Sequence, residues 1–184
     1  MNTEKIIRSL KSYGSFAAHE IDALLSACNF RKLEADDSIL TFGEVCREVS
    51  FVYSGSFVQS FKDKDLNQKV VNLFVNGDWV LNHASFTAQK PSQHEIVAFE
   101  TSEIFTLNIH QVHELIGNYP SFFALGKILE VDTPRLDHLA TPDEKYLRLL
   151  KEKPKVIQTF PFKYIASFLG MTPETLSRVR SRIN

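Results

Sequence analysis

The chain has 184 residues, is 43% hydrophobic and 23% charged, and carries a formal net charge of −1. This composition predicts one or two ordinary globular domains, and with no apolar run of about 18 residues it predicts no helical membrane span and no membrane partner. Met1-Asn-Thr-Glu-Lys-Ile-Ile7 has no apolar signal core, and Cys28 and Cys46 form no CxxC pair. The expectation is a cytoplasmic protein with neither a disulfide framework nor a thiolate metal cluster.

Residues 3–12 and 17–28 predict two short helices, because Ile6, Ile7 and Leu10, then Ile21, Leu24 and Leu25, recur at helical spacing. From about residue 30 to 109 the texture changes to short Val-, Phe- and Ile-rich runs. Phe42-Gly-Glu44, Ser54-Gly-Ser56, Lys62-Asp-Lys-Asp65, Asn76-Gly-Asp78 and Gln89-Lys-Pro-Ser92 separate them. Turns roughly 10–13 residues apart predict an antiparallel roll or sandwich. Val49, Phe51 and Tyr53 alternate with smaller residues, as do Val71, Leu73 and Val75, which predicts strands with one buried face.

Helical spacing returns after residue 109. Val112, Leu115 and Ile116 mark one helix; Phe122, Phe123, Leu125, Ile128 and Leu129 mark another, which Pro134 limits. That second seam serves equally well to join two copies of the chain or to cover the β-roll. Thr141-Pro-Asp-Glu144 has the form of a capped helix start, and Lys153-Pro154 ends the helix it opens. The predicted class is α+β. Residues 1–120 form an N-terminal antiparallel, jelly-roll-like β-roll with flanking helices, 121–140 a connecting or dimerisation helix, and 141–184 a small C-terminal helix-turn-helix domain.

The charge is unevenly divided. Residues 142–184 hold nine Lys and Arg against four acids, a surplus of +5, which leaves −6 on residues 1–141. A basic tail on an acidic body suggests a polyanion-binding module. Within the tail, Ile165, Phe168 and Leu169 form the inner face of a first helix, and Gly170 permits the left-handed backbone of a tight turn. Thr172 caps a second helix, Pro173 suits its first position, and Glu174 suits the positive end of its dipole. Leu176, Val179 and Ile183 then face inward, so Glu174, Ser177, Arg178 and Ser181 face outward.

That outward row has the chemistry of a DNA reader. Arg178 can donate two hydrogen bonds to the O6 and N7 of a guanine, and Glu174 can accept one from a cytosine amino group. Thr172 and Thr175, with Lys163 and Arg182, can hold phosphates and set the register. The expected partner is double-stranded DNA, contacted through Lys163, Thr172, Pro173, Glu174, Thr175, Ser177, Arg178, Ser181 and Arg182.

The stretch Ile165-Ala-Ser-Phe-Leu-Gly-Met-Thr-Pro-Glu-Thr-Leu-Ser-Arg-Val-Arg180 resembles the DNA-reading motif of Crp/Fnr-family transcription regulators, in particular their Bacteroidetes-type members. Glu144 through Pro154 resembles the helix that precedes the motif there, and residues 16–110 are similar to the family's cyclic-nucleotide-binding β-roll. The resemblance implies a homodimer that reads a pseudo-palindromic operator under an N-terminal sensor.

Two features depart from the family's pattern. Its nucleotide-binding members carry a Gly-Glu-hydrophobe turn followed by an Arg-Ser pair. Here the turn reads Gly77-Asp78-Trp79, the later segment reads Pro91-Ser92-Gln-His94-Glu95, and no Arg lies between Arg47 and Arg135. A buried phosphate without a cation is costly; Lys90 or His94 could take the place of the Arg, but the favoured expectation is that the roll, lined by Gly77, Asp78, Trp79, Ser92 and His94, does not respond to cyclic AMP. Another small-molecule effector, or none, fills it. The second departure is length: the connecting helix is short, and Asn184 comes where many members continue into a β-hairpin wing, which shifts phosphate contacts on to Lys163, Arg180 and Arg182.

His110 and His113 have metal-compatible spacing but no HExxH pattern, and His83 and His94 lack the His-x-His of a metal-binding cupin. No metal, no cofactor and no enzymatic activity are expected. The competing reading is a small-molecule sensor or protein-interaction module that does not recognise a DNA sequence.

Overall fold

The computed structural model describes residues 3–126 and 140–183. Helices α1 (Glu4–Tyr13) and α2 (Ala18–Ala27) precede eight strands: β1 (Asn29–Leu33), β2 (Ser38–Leu40), β3 (Glu48–Ser54), β4 (Ser56–Lys62), β5 (Gln68–Val75), β6 (Trp79–Val80), β7 (Glu95–Ala98) and β8 (Ser102–Asn108). A short helix, α3 (His83–Ala88), joins β6 to β7, and α4 (Ile109–Asn118) follows β8. The strands form two antiparallel sheets, ordered β1-β8-β3-β6 and β2-β7-β4-β5. This is the expected antiparallel roll with flanking helices.

The core lies between the sheets, with Phe51, Phe57, Ile96 and Ile104 at or near zero exposure. Its ends are closed by Ile6 and Leu10 of α1 and by Phe122, all fully buried. The β3–β4 turn depends on Gly55, whose φ is +88. A Cβ at Gly55 would collide with Ser102 of β8, so both the left-handed backbone and the close approach require glycine. The expected helices 3–12 and 17–28 are α1 and α2 within a residue or two. α3 was absent from the expectation; its signal is local, since Asn82 caps it by accepting from the Ser85 N–H at 3.0 Å.

The expectation of one buried face per strand needs correction. In β5, Val70 and Asn72 through Val75 are all buried, and β3 buries Ser50, Phe51 and Val52 in succession. For β5 the cause is a second apolar cluster outside the roll, in which Val58, Val70, Leu73 and Val75 meet the C-terminal helices. A register shift opposite Gln59 and Ser60 adds a residue to β5 and brings Val70 on to the side of Leu73 and Val75.

The C-terminal region holds α5 (Pro142–Glu152), α6 (Pro154–Thr159), α7 (Phe162–Phe168) and α8 (Pro173–Ile183). α5 opens with the expected capping box: Glu144 N–H donates to Thr141 Oγ1 at 3.3 Å, and Thr141 N–H donates to Glu144 Oε2 at 2.7 Å. Lys153-Pro154 does end α5, yet Pro154 also takes the first position of α6, where its missing N–H is harmless. Within the expected 121–140 connector, the described start is a 3-10 helix, Pro120–Leu125, not a continuous α-helix. Phe122 and Leu125 pack into the roll and Phe123 is 69% exposed. Ile128, Leu129 and Pro134 lie outside the described residues.

Candidate nucleic-acid interface

The turn between α7 and α8 is built by Gly170, which has φ +68. Its N–H donates to Ser167 O at 3.0 Å, and Met171 N–H donates to Ala166 O at 2.9 Å, closing the end of α7. Ala166 is fully buried, which lets the two helices cross closely. Thr172 Oγ1 accepts from Thr175 N–H at 3.2 Å and starts α8.

α8 is two-faced. Leu176 and Val179 are fully buried, while Thr172, Pro173, Glu174, Ser177, Arg178, Ser181 and Arg182 are exposed and Thr175 is half-buried. Glu174, Ser177, Arg178 and Ser181 follow one another at i, i+3, i+4 and i+7, one continuous outward stripe. Arg178 Nε donates a long 3.5 Å hydrogen bond to Glu174 O, which leaves the terminal N–H groups of its fork for an outside acceptor. Hydrogen bonds from the Glu174 backbone N–H and the Thr172 hydroxyl hold the Glu174 carboxyl below its usual range, so it is an anionic acceptor. Ser181 Oγ donates to Ser177 O at 3.1 Å.

The phosphate-contact candidates divide. Lys163 is exposed at the start of α7, its ammonium 5.2 Å from the Tyr164 ring centre. Arg182 is engaged by Asp143 of α5 through two hydrogen bonds from Nη2, at 2.8 and 3.0 Å. That pair is solvent-exposed, worth about 0–1 kcal/mol, so a phosphate can exchange for it. Arg180 lies against Phe162, 5.5 Å from the ring centre.

The five residues expected around the effector separate inside the roll. Ser92 and His94 come together: Asn82 Nδ2 donates to Ser92 Oγ at 3.1 Å, and His94 Nδ1 lies 3.2 Å from both Asn82 Nδ2 and Gln59 Nε2. The imidazole faces Phe61, and burial pushes its pKa down. Asn82 and Gln59 were not singled out by the sequence; Gln59 arrives through the pairing of β4 with β7, and Asn82 stands at the start of α3. Gly77, Asp78 and Trp79 are elsewhere. Asp78 Oδ2 accepts from Val75 N–H at 3.0 Å and lies 4.0 Å from Lys153 Nζ. Trp79 packs on Phe51 and donates through Nε1 to Ser9 Oγ at 3.0 Å, a core position tied to α1. A cleft of about 480 Å³ at the side of the roll is lined by Glu44, Arg47, Glu48, Ser50, Leu81 and Ile96, among others.

Burial also governs the thiols. It pushes Cys28 up to about 12 and raises Cys46 as well, so neither is a ready thiolate. His110 and His113 are exposed on α4, and no group of three or more metal-capable side chains occurs among the described residues.

Residues 30–119 match the family model of the cyclic nucleotide-binding domain. No curated protein matches the chain in sequence. Solved structures share its fold. FixK2 from Bradyrhizobium japonicum aligns with a TM-score of 0.70 at 15% identity, over 85% of this chain and 84% of that one. The catabolite activator protein of Thermus thermophilus aligns with 0.61 at 20%, over 95% and 86%. The c-di-GMP-responsive global regulator CLP of Xanthomonas campestris aligns with 0.64 at 16%, over 91% and 91%. The architecture is therefore a cyclic nucleotide-binding-type roll followed by C-terminal helices, the fold it shares with these three proteins. Among the described residues no helix is long and apolar enough to cross a membrane.

Proposed function

We propose that this chain is a non-enzymatic, DNA-binding transcription regulator of Crp/Fnr type. The carrying observation is the exposed stripe Glu174, Ser177, Arg178 and Ser181 on a helix whose opposite side, Leu176 and Val179, is fully buried. α8 lies in the major groove; Arg178 reads guanine, Glu174 reads cytosine, and Lys163, Thr172, Thr175 and Arg182 hold the backbone. The protein acts as a homodimer on two inverted half-sites about 34 Å apart. The exposed ring of Phe123, next to buried Phe122 and Leu125, supports a seam between copies at that point.

Cyclic AMP is not the effector in this reading. The network in the roll joins Gln59, Asn82, Ser92 and His94, and burial disfavours charge on the only one of them that can become a cation. A cyclic phosphodiester placed there would have no permanent positive charge within that network.

The test is selection of duplexes from a random pool by the purified full chain. Enrichment of an inverted repeat supports the proposal. A pool that stays unenriched overturns it and favours a sensor or protein-interaction module.

A further inference from the structure

A second cleft, of about 440 Å³, lies away from the roll interior, where α1, the β5–β6 turn and α6 meet. Lys5 and Arg8 of α1, Asn76 and Gly77 of the turn, and Lys155 of α6 line it, together with Ser9. No carboxylate lines it among the described residues. The nearby Asp78 is occupied by the Val75 N–H and by Lys153.

The cations are partly fixed in place. Lys5 Nζ donates to Tyr53 O at 3.1 Å and sits 4.7 Å from the Tyr53 ring centre. Lys155 Nζ donates to Asn76 Oδ1 at 2.9 Å and to Asn76 O at 3.3 Å. Each ammonium keeps at least one N–H beyond those bonds, and the carbonyl anchors remove much of the side-chain entropy that a ligand would otherwise have to overcome. Ser9 Oγ accepts from Trp79 Nε1, which leaves its hydroxyl hydrogen to donate. Three positive charges on one concave surface repel one another, and a polyvalent anion relieves that repulsion.

We propose that this cleft is a binding site for a small phosphorylated compound, with a phosphoryl or pyrophosphoryl group held by Arg8, Lys5 and Lys155. Its volume falls in the range of small-ligand sites. The site is independent of the roll interior and of α8. Because Lys155 belongs to the C-terminal helices and Lys5 and Arg8 to the N-terminal one, an occupant ties the two ends of the chain together across the β5–β6 turn.

Calorimetric titration of the full chain with pyrophosphate, at fixed ionic strength in chloride, tests the assignment. The expected result is one saturable site per chain with Kd below about 1 mM, weakened at least about tenfold by Arg8→Ala and by Lys155→Ala and unchanged by Lys163→Ala. The absence of a saturable heat, or a Kd that survives both substitutions in folded variants, overturns it. Titration with a random DNA duplex separates the two sources of phosphate. Arg8→Ala is expected to leave duplex affinity within about twofold of the parent. A loss matching that for pyrophosphate would make the cleft a DNA-backbone groove and overturn the small-ligand assignment.

Discussion

The two apolar clusters of this chain are closed in different ways. The roll core is covered mainly by its own strands: eight antiparallel segments surround Phe51, Phe57 and Ile104, and helical residues such as Ile6, Leu10, Leu24, Leu115 and Phe122 complete it. The C-terminal cluster has no such closure. Its helices span 11, 6, 7 and 11 residues, lengths that are marginal alone in water. They complete their core on Val58, Val70, Leu73 and Val75 of the sheet, with Val70 N–H donating to Ser167 Oγ at 3.0 Å. The outer face of β4 and β5 thus serves as the floor of the helical region.

Leu73→Ala should break that comparison most strongly. Leu73 is fully buried between sheet and helices, and the truncation should cost about 2–5 kcal/mol in urea unfolding. A cost near zero would mean that the helices do not depend on the sheet. Arg178→Ala comes next: discrimination between the selected site and a guanine-substituted one should shrink by about 1–3 kcal/mol in competition binding. Its melting temperature should stay at the parental value, because the side chain is exposed. Thr172→Ala removes the cap of α8 and should cost about 0.5–2 kcal/mol of stability by denaturant titration.

A smaller effect separates the roll from the helices by pH. His94 titrates below its ordinary value of 6.5 because burial disfavours the imidazolium. Above 6.5 the imidazole is neutral in both the folded and the unfolded chain, so the burial adds nothing. As pH falls through 6.5 the unfolded chain takes up a proton that the folded one resists, and stability drops. The urea midpoint of the parent should therefore fall more steeply between about pH 7 and about pH 5.5 than that of His94→Gln. Equal slopes would remove His94 from the buried network. Lys163→Ala should have the least effect: affinity for all duplexes weakens about alike, and the log–log salt slope shrinks by about 1. Unchanged binding and slope would remove Lys163 from the interface.

Much of this was legible because it is local. The Thr141 box, the Thr172 cap, the Gly170 turn and the spacing of Leu176 and Val179 each lie within a few residues of one another, and each appears in the structure where the pattern placed it. The roll's turns were readable for the same reason. The effector residues were only partly readable. Gly77-Asp78-Trp79 looked like a pocket turn, yet Asp78 faces Lys153 and Trp79 reaches α1, while the partners of Ser92 and His94 are Asn82 and Gln59. Gln59 meets His94 only because β4 pairs with β7.

Sequence by itself determined the α+β class, the succession of N-terminal helices, β-roll and C-terminal helices, and the two-faced character of α8, because caps, turn glycines and apolar periodicity act over one or two turns of chain. Tertiary structure alone decided which strand face is buried twice, which polar groups share the roll, and that Lys5, Arg8 and Lys155 line one cleft. Those outcomes depend on contacts between segments dozens of residues apart, and nothing in the spacing along the chain specifies which distant surface a strand or a cation will meet.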